Sequence, residues 1–81
     1  MDEKSLLVRI KDLVEEEHHL RSAVQSGRMD SDEEQTRLRN VEEALDQCWD
    51  LLRRRRAAQD NSQNPDAVDS RPISEVESYL Q

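Results

Sequence analysis

Glycine occurs once and proline twice in 81 residues, phenylalanine not at all, and the aromatic side chains are one Trp and one Tyr. So little turn chemistry excludes an all-β fold, and it excludes the Gly-rich loops that cradle phosphates in dinucleotide sites and P-loops. A single cysteine, Cys48, allows neither an internal disulfide nor a Cys-based zinc knuckle. The longest aliphatic run, Leu6-Leu7-Val8, falls far short of the roughly 18 apolar residues of a membrane span. Met1-Asp2-Glu3 offers neither the basic flank nor the apolar stretch of a secretory signal. These exclusions predict a soluble, cytoplasmic protein. What is abundant is charge: 12 Lys and Arg against 19 Asp and Glu, a net charge of −7, with 38% of residues charged and 33% hydrophobic. A chain this short and polar needs help to complete a core, from a second copy, a partner or a metal.

Helical periodicity is the main signal. Leu6, Ile10, Leu13, Glu17, Leu20 and Val24 recur at alternating spacings of four and three, one stripe of a helix, widened on one side by Leu7, Val14 and Arg21. The stripe ends at Gln25-Ser26-Gly27, where the glycine suits a C-terminal cap, so a first helix is expected over about 3–26. Ser31-Asp32-Glu33-Glu34 has the form of a capping box, with Asp30 and Glu33 an equal alternative. Leu38, Val41, Leu45, Cys48 and Leu52 then repeat the same spacing, flanked by Ala44, Trp49 and Leu51. Arg53 to Arg56 close this second helix, expected over 31–58, at its negative dipole end, where they also meet the N-terminal acids. The short link forces an antiparallel hairpin, coiled-coil-like, with Leu13 near Ala44 and Leu20 near Arg37 and Leu38. A lone hairpin leaves Leu7, Val14, Leu51 or Trp49 partly wet, which favours a homodimeric four-helix bundle built on the two stripes as a self-association seam.

Residues 59–70 read as a polar linker, since 59–66 contain no apolar side chain to offset ordering entropy. Residues 71–81 place Ile73, Val76 and Leu80 at helical spacing after Pro72, which suits a first helical position. At about two turns such a helix must dock or stay disordered. One Arg against five acids makes residues 59–81 the most acidic segment of the chain.

Leu13-Val14-Glu15-Glu16-Glu17-His18, the string Leu45-Asp46-Gln47-Cys48-Trp49-Asp50-Leu51-Leu52-Arg53, and the closing Arg71-Pro72, Glu75-Val76-Glu77 and Tyr79 resemble a family of short actinobacterial proteins, domain of unknown function (DUF) 2630. The resemblance covers nearly the whole chain. It implies a bacterial cytosolic helical protein and assigns no activity or site residue.

Glu15 with His18 and Glu16 with His19 form two Glu-x-x-His pairs, the motif of carboxylate-bridged metal bundles, with Glu42 or Glu43 as further carboxylates. At 100° per residue neither pair aims both groups into one core, so a solvated charged face is expected and no metal or cofactor. Glu17 on the seam, with Arg21 at i+4 and Arg37 across the hairpin, reads as a partly exposed carboxylate. The sharper alternative is a buried ion pair that fixes register. Cys48 reads as a small buried hydrophobe with no adjacent base, and Trp49 as a core anchor, or else a docking floor for Ile73, Val76 and Tyr79, with Leu80 a further candidate docking residue. The four consecutive arginines spread around the helix axis on an acidic protein, which opposes nucleic-acid binding. The expectation is a non-enzymatic helical interaction or scaffold module that forms a homodimer. One alternative is a regulator that binds a large cytosolic machine, polymerase or ribosome, through its tail or Arg-rich end; the other is a carboxylate/His metal protein.

Overall fold

Asp2 sets the first helix. Its backbone is extended and its carboxylate accepts from the Ser5 N–H at 2.8 Å, which satisfies one of the donors a helix leaves open at its start. The computed structural model describes residues 2–27 and 31–80, and α1 spans Glu3–Gln25. Gly27 ends it at φ +69°, its N–H donating to the Val24 carbonyl at 3.2 Å. A Cβ there would meet open space, so the left-handed backbone alone selects glycine.

α2 spans Ser31–Asp60. The alternative cap, Asp30, lies outside the described residues. Glu34 is buried, its carboxylate 3.8 Å from Arg37. The helix runs two residues past the expected Ala58, because the chain there makes its own ending. Ser62 takes φ +60°, its N–H donates to Gln59 at 3.1 Å, and the Gln63 N–H donates to Ala58 at 2.7 Å. These are the paired bonds of a Schellman ending, with serine where glycine is usual. Arg53 to Arg56 therefore do not occupy the last turn, and their expected role as a dipole-complementing end is corrected: they act sideways.

α1 and α2 lie antiparallel, as the ion pairs Arg56–Glu3 at 3.3 Å and Arg21–Glu42 at 2.9 Å require. Between them Leu6, Ile10, Leu13 and Leu20 meet Val41, Leu45, Cys48, Leu51 and Leu52, with Val14, Leu38 and Ala44 half-buried at the edges. Val24 is half-buried too. Each fully buried Leu or Ile contributes about 1.5–3 kcal/mol of transfer free energy, which opposes the ordering entropy of the chain.

After Ser62 the chain turns back. A 3₁₀ turn covers Pro65–Ala67, Val68 packs on the hairpin core that contains Leu51, and α3 spans Ile73–Leu80. Pro72 caps α3 instead of opening it, its carbonyl accepting from the Glu75 and Val76 N–H groups at 3.0 and 3.2 Å. α3 runs antiparallel to α2 on the side away from α1, so α2 is the middle of three helices and, among the described residues, α1 and α3 do not touch. The molecule extends 49 × 25 × 14 Å, its least dimension close to the thickness of a single helix with side chains. Its architecture is all-α; among the described residues there is no strand and no helix long and apolar enough to cross a membrane.

Candidate functional site

The tail is held by α2 arginines that the sequence pattern placed at a helix end. Arg55, 4% exposed, donates to the Pro65 carbonyl at 3.0 Å and to the Asp66 carboxylate at 2.9 Å. Arg54 donates to the Asp69 carbonyl at 2.8 Å, and the Gln47 amide donates to the Arg71 carbonyl at 2.9 Å. Asp50 is buried at the centre of this clasp, with Arg71 at 3.4 Å and Arg53 and Arg54 at 3.7 Å. Arg71 also hydrogen-bonds the Tyr79 hydroxyl, stacks on its ring at 5.2 Å and lies 3.8 Å from Glu75. These are ion pairs without a hydrogen bond to the buried Asp50 Oδ2, so the directional part of the clasp is the set of bonds that Arg54, Arg55 and Gln47 donate to the tail. Polar residues of 59–66 are thereby ordered without any apolar side chain of their own.

α3 adds one apolar anchor, Val76 at 1% exposure, with Ile73 half-buried and Tyr79 and Leu80 exposed. The tail is joined to α2 here by Arg71, which meets Gln47 and Asp50, and by Glu77 at Asp46. Glu77 approaches Asp46 and Glu43 of α2. Its carboxyl is held above the usual range, first by the hydrogen bond with Asp46, then by desolvation and the negative charge of Asp46 and Glu43. Asp2 is held below that range by the hydrogen bonds from Ser5.

The broad sides of this slab differ. On one, Glu3 and Leu7 are four residues apart on α1, and Leu7, Val14 and Arg21 follow at seven-residue spacing, which is nearly two turns. On α2 Glu42, Trp49 and Arg56 repeat at the same seven-residue spacing. The ion pairs Arg21–Glu42 and Arg56–Glu3 join the two rows at their ends, so Leu7, Val14 and Trp49 share the face between them. Trp49 is 46% exposed and Leu7 42%. The expected core role of Trp49 is corrected: Leu45, Cys48 and Leu52 fill the helix–helix contact, and Trp49 sits at its flank. The opposite side carries a groove of about 260 Å³ lined by Leu13, Glu16, Arg37, Asn40, Val41 and Ala44, which brings Leu13 to Ala44 as the spacing predicts but is rimmed by polar groups.

Glu17 is partly exposed and accepts from Arg21 at 3.2 Å, while Arg37 goes to Glu34. The register-fixing buried pair is therefore not formed. Glu15, Glu16, His18 and His19 are all exposed. Among the described residues no three His, Cys, Asp or Glu side chains are grouped to hold a metal. Cys48 is a buried free thiol in the core. Of the stripe residues named as a self-association seam, Leu6, Ile10, Leu13, Leu20, Leu38, Val41, Leu45, Cys48 and Leu52 are used within one chain's hairpin, while Glu17 and Val24 lie outside that cluster. The clasp around Asp50 was missed in the sequence; its one available signal was an Arg cluster followed by Asp66, Asp69 and Arg71.

The family model described as a protein of unknown function (DUF2630) matches residues 2–81. The chain is similar to the uncharacterized proteins Rv0898c of Mycobacterium tuberculosis (strain ATCC 25618 / H37Rv) and Mb0922c of Mycobacterium bovis (strain ATCC BAA-935 / AF2122/97). Each is 47% identical over 73 residues, covering 90% of this chain and 84% of the relative. No solved structure matches.

Proposed function

The chain belongs to the DUF2630 family, and we propose that it is a non-enzymatic helical interaction module of the cytoplasm that works through the face bearing Leu7, Val14 and Trp49. The observation that carries this reading is the exposure of Trp49, 46%, and Leu7, 42%, between two ion pairs on one side of a slab about one helix thick. Large apolar side chains ringed by charge are the usual form of a contact centre and rim. The alternative contact, the Arg-rich helix end, is less available: Arg54 and Arg55 are spent on the tail. A photo-cross-linking amino acid at position 7 or 49, incorporated in the host cell, tests the reading. A discrete adduct from both positions, and none from Asn61 at the turn beyond α2, is expected. Equal or absent labelling at all three positions overturns it.

A further inference from the structure

The occupant of the Leu7–Trp49 face can be read from the order of charges along it. This inference rests on the reading just given and deepens it. At one end of the face Arg21 on α1 meets Glu42 on α2; at the other end Glu3 on α1 meets Arg56 on α2. The sign on each helix therefore reverses from end to end: α1 carries minus at Glu3 and plus at Arg21, α2 minus at Glu42 and plus at Arg56. Trp49 is the midpoint of Glu42 and Arg56, seven residues from each. A second copy laid face to face and turned end over end would set Arg21 opposite the other copy's Glu3, and Glu42 opposite its Arg56. Trp49 would lie on its own counterpart. Leu7 and Val14 would exchange places within about one turn. Asp46 and Arg53, three residues before Trp49 and four after it, obey the same reversal.

Such a pattern is self-complementary under a two-fold axis that crosses the helices at Trp49, as an isologous interface demands. A two-fold axis along the helices would lay α1 on the other copy's α2 and match Glu3 with Arg56 and Arg21 with Glu42 as well; only the first sets Glu3 opposite Arg21 and Trp49 on its counterpart, which is what cross-linking between positions 3 and 21 reads.

Mixed rim charges that cancel in pairs also let two copies of an acidic protein approach without concentrating its net charge of −7 at the contact.

We infer that the occupant is a second copy of this chain, docked antiparallel through Leu7, Val14 and Trp49 and held in register by exchange of the Glu3, Arg21, Glu42 and Arg56 charges.

Sedimentation equilibrium of the full chain tests this first. A species of twice 9.5 kDa is expected, with the dimer dissociation constant of Trp49→Lys raised by about tenfold or more. The helical circular dichroism of that variant should be unchanged, since Trp49 lies outside the core. Register is tested in a Cys48→Ala background by mixing Glu3→Cys chains with Arg21→Cys chains under mild oxidation. A disulfide between unlike chains is expected in excess over either like pair. A monomer at about 100 μM, a concentration that fills interfaces of micromolar strength, overturns the inference. So does a dimer indifferent to Trp49→Lys, or a preference for like disulfides. A monomer that still gives adducts of another polypeptide at positions 7 and 49 sinks the second-copy inference and leaves the interaction face standing; a monomer with no adducts sinks both.

Discussion

Arg71 reaches back from the tail to within 3.4 Å of Asp50, a carboxylate that α2 buries. The other cations near Asp50, Arg53 and Arg54, come from its own helix. Arg71 is thus the one residue of the three whose ionic contact ties separate parts of the chain together. Arg71→Ala should loosen α3 by about 1–2 kcal/mol, given that its side chain is partly exposed. Amide hydrogen exchange over residues 73–80 should accelerate while α1 and the first turns of α2 keep their protection. Uniform loss of protection would contradict a local role.

Val76 tests the apolar half of the same attachment. At 1% exposure it is the one fully sheltered side chain of α3, and Val76→Ala should weaken docking by about 2 kcal/mol. An eight-residue helix does not persist undocked. Limited proteolysis should therefore cut the variant within the tail and leave a resistant hairpin. A variant as resistant throughout as the parent would contradict the assignment.

The carboxyl of Glu77 gives the docking of α3 a pH dependence. Its pKa in the folded chain is raised by the hydrogen bond with Asp46, by desolvation and by the charges of Asp46 and Glu43. A carboxyl shifted upward contributes its stabilisation in full below the unfolded pKa and loses it as pH rises through the folded value. Tail protection should consequently increase as pH falls from neutral toward the ordinary carboxylate range, seen as sharpening of the Val76 methyl resonances in an NMR titration. Glu77→Gln should remove that increase and dock α3 more firmly at neutral pH. Asp2 works in the opposite sense. Its lowered pKa, due to Ser5, gives stability that is lost as pH falls through the folded value, so the start of α1 should fray in acid.

Two helix endings make a matched pair. Ser62 and Gly27 both occupy left-handed backbone, φ +60° and +69°. Ser62→Gly should raise the unfolding free energy by up to about 1 kcal/mol, because a Cβ is disfavoured there. Gly27→Ala should lower it by a similar amount, purely through backbone conformation, as no neighbour contests the space. Urea denaturation with an unchanged slope checks both.

The hairpin was legible because its determinants are periodic. Leu6, Ile10, Leu13 and Leu20 on one helix and Val41, Leu45, Cys48 and Leu52 on the other declare their partner by spacing alone, and Gly27 declares the stop. The attachment of the tail was not legible. Its bonds run from Arg54 and Arg55 to main-chain carbonyls of Asp69 and Pro65, and a carbonyl leaves no mark in composition. Trp49 misled for a different reason: bulk suggests burial, but a position one step off the stripe centre faces the flank once Cys48 and Leu52 have filled the seam.

Because α2 meets α1 along one side and the tail along the other, substitutions in the two halves of the molecule will be felt through a single element. A saturation library scored by folding alone should find α2 least tolerant at its buried positions between Val41 and Ala58, with the exposed Arg53 and Ala57 yielding; Trp49 should yield in that screen and not in one scored by association. The outward row of α1, Lys4, Lys11, Glu15 and Ser22, is exposed throughout and should accept almost any residue. A fluorophore or affinity handle carried on that row would leave the core, the clasp and the Trp49 face undisturbed.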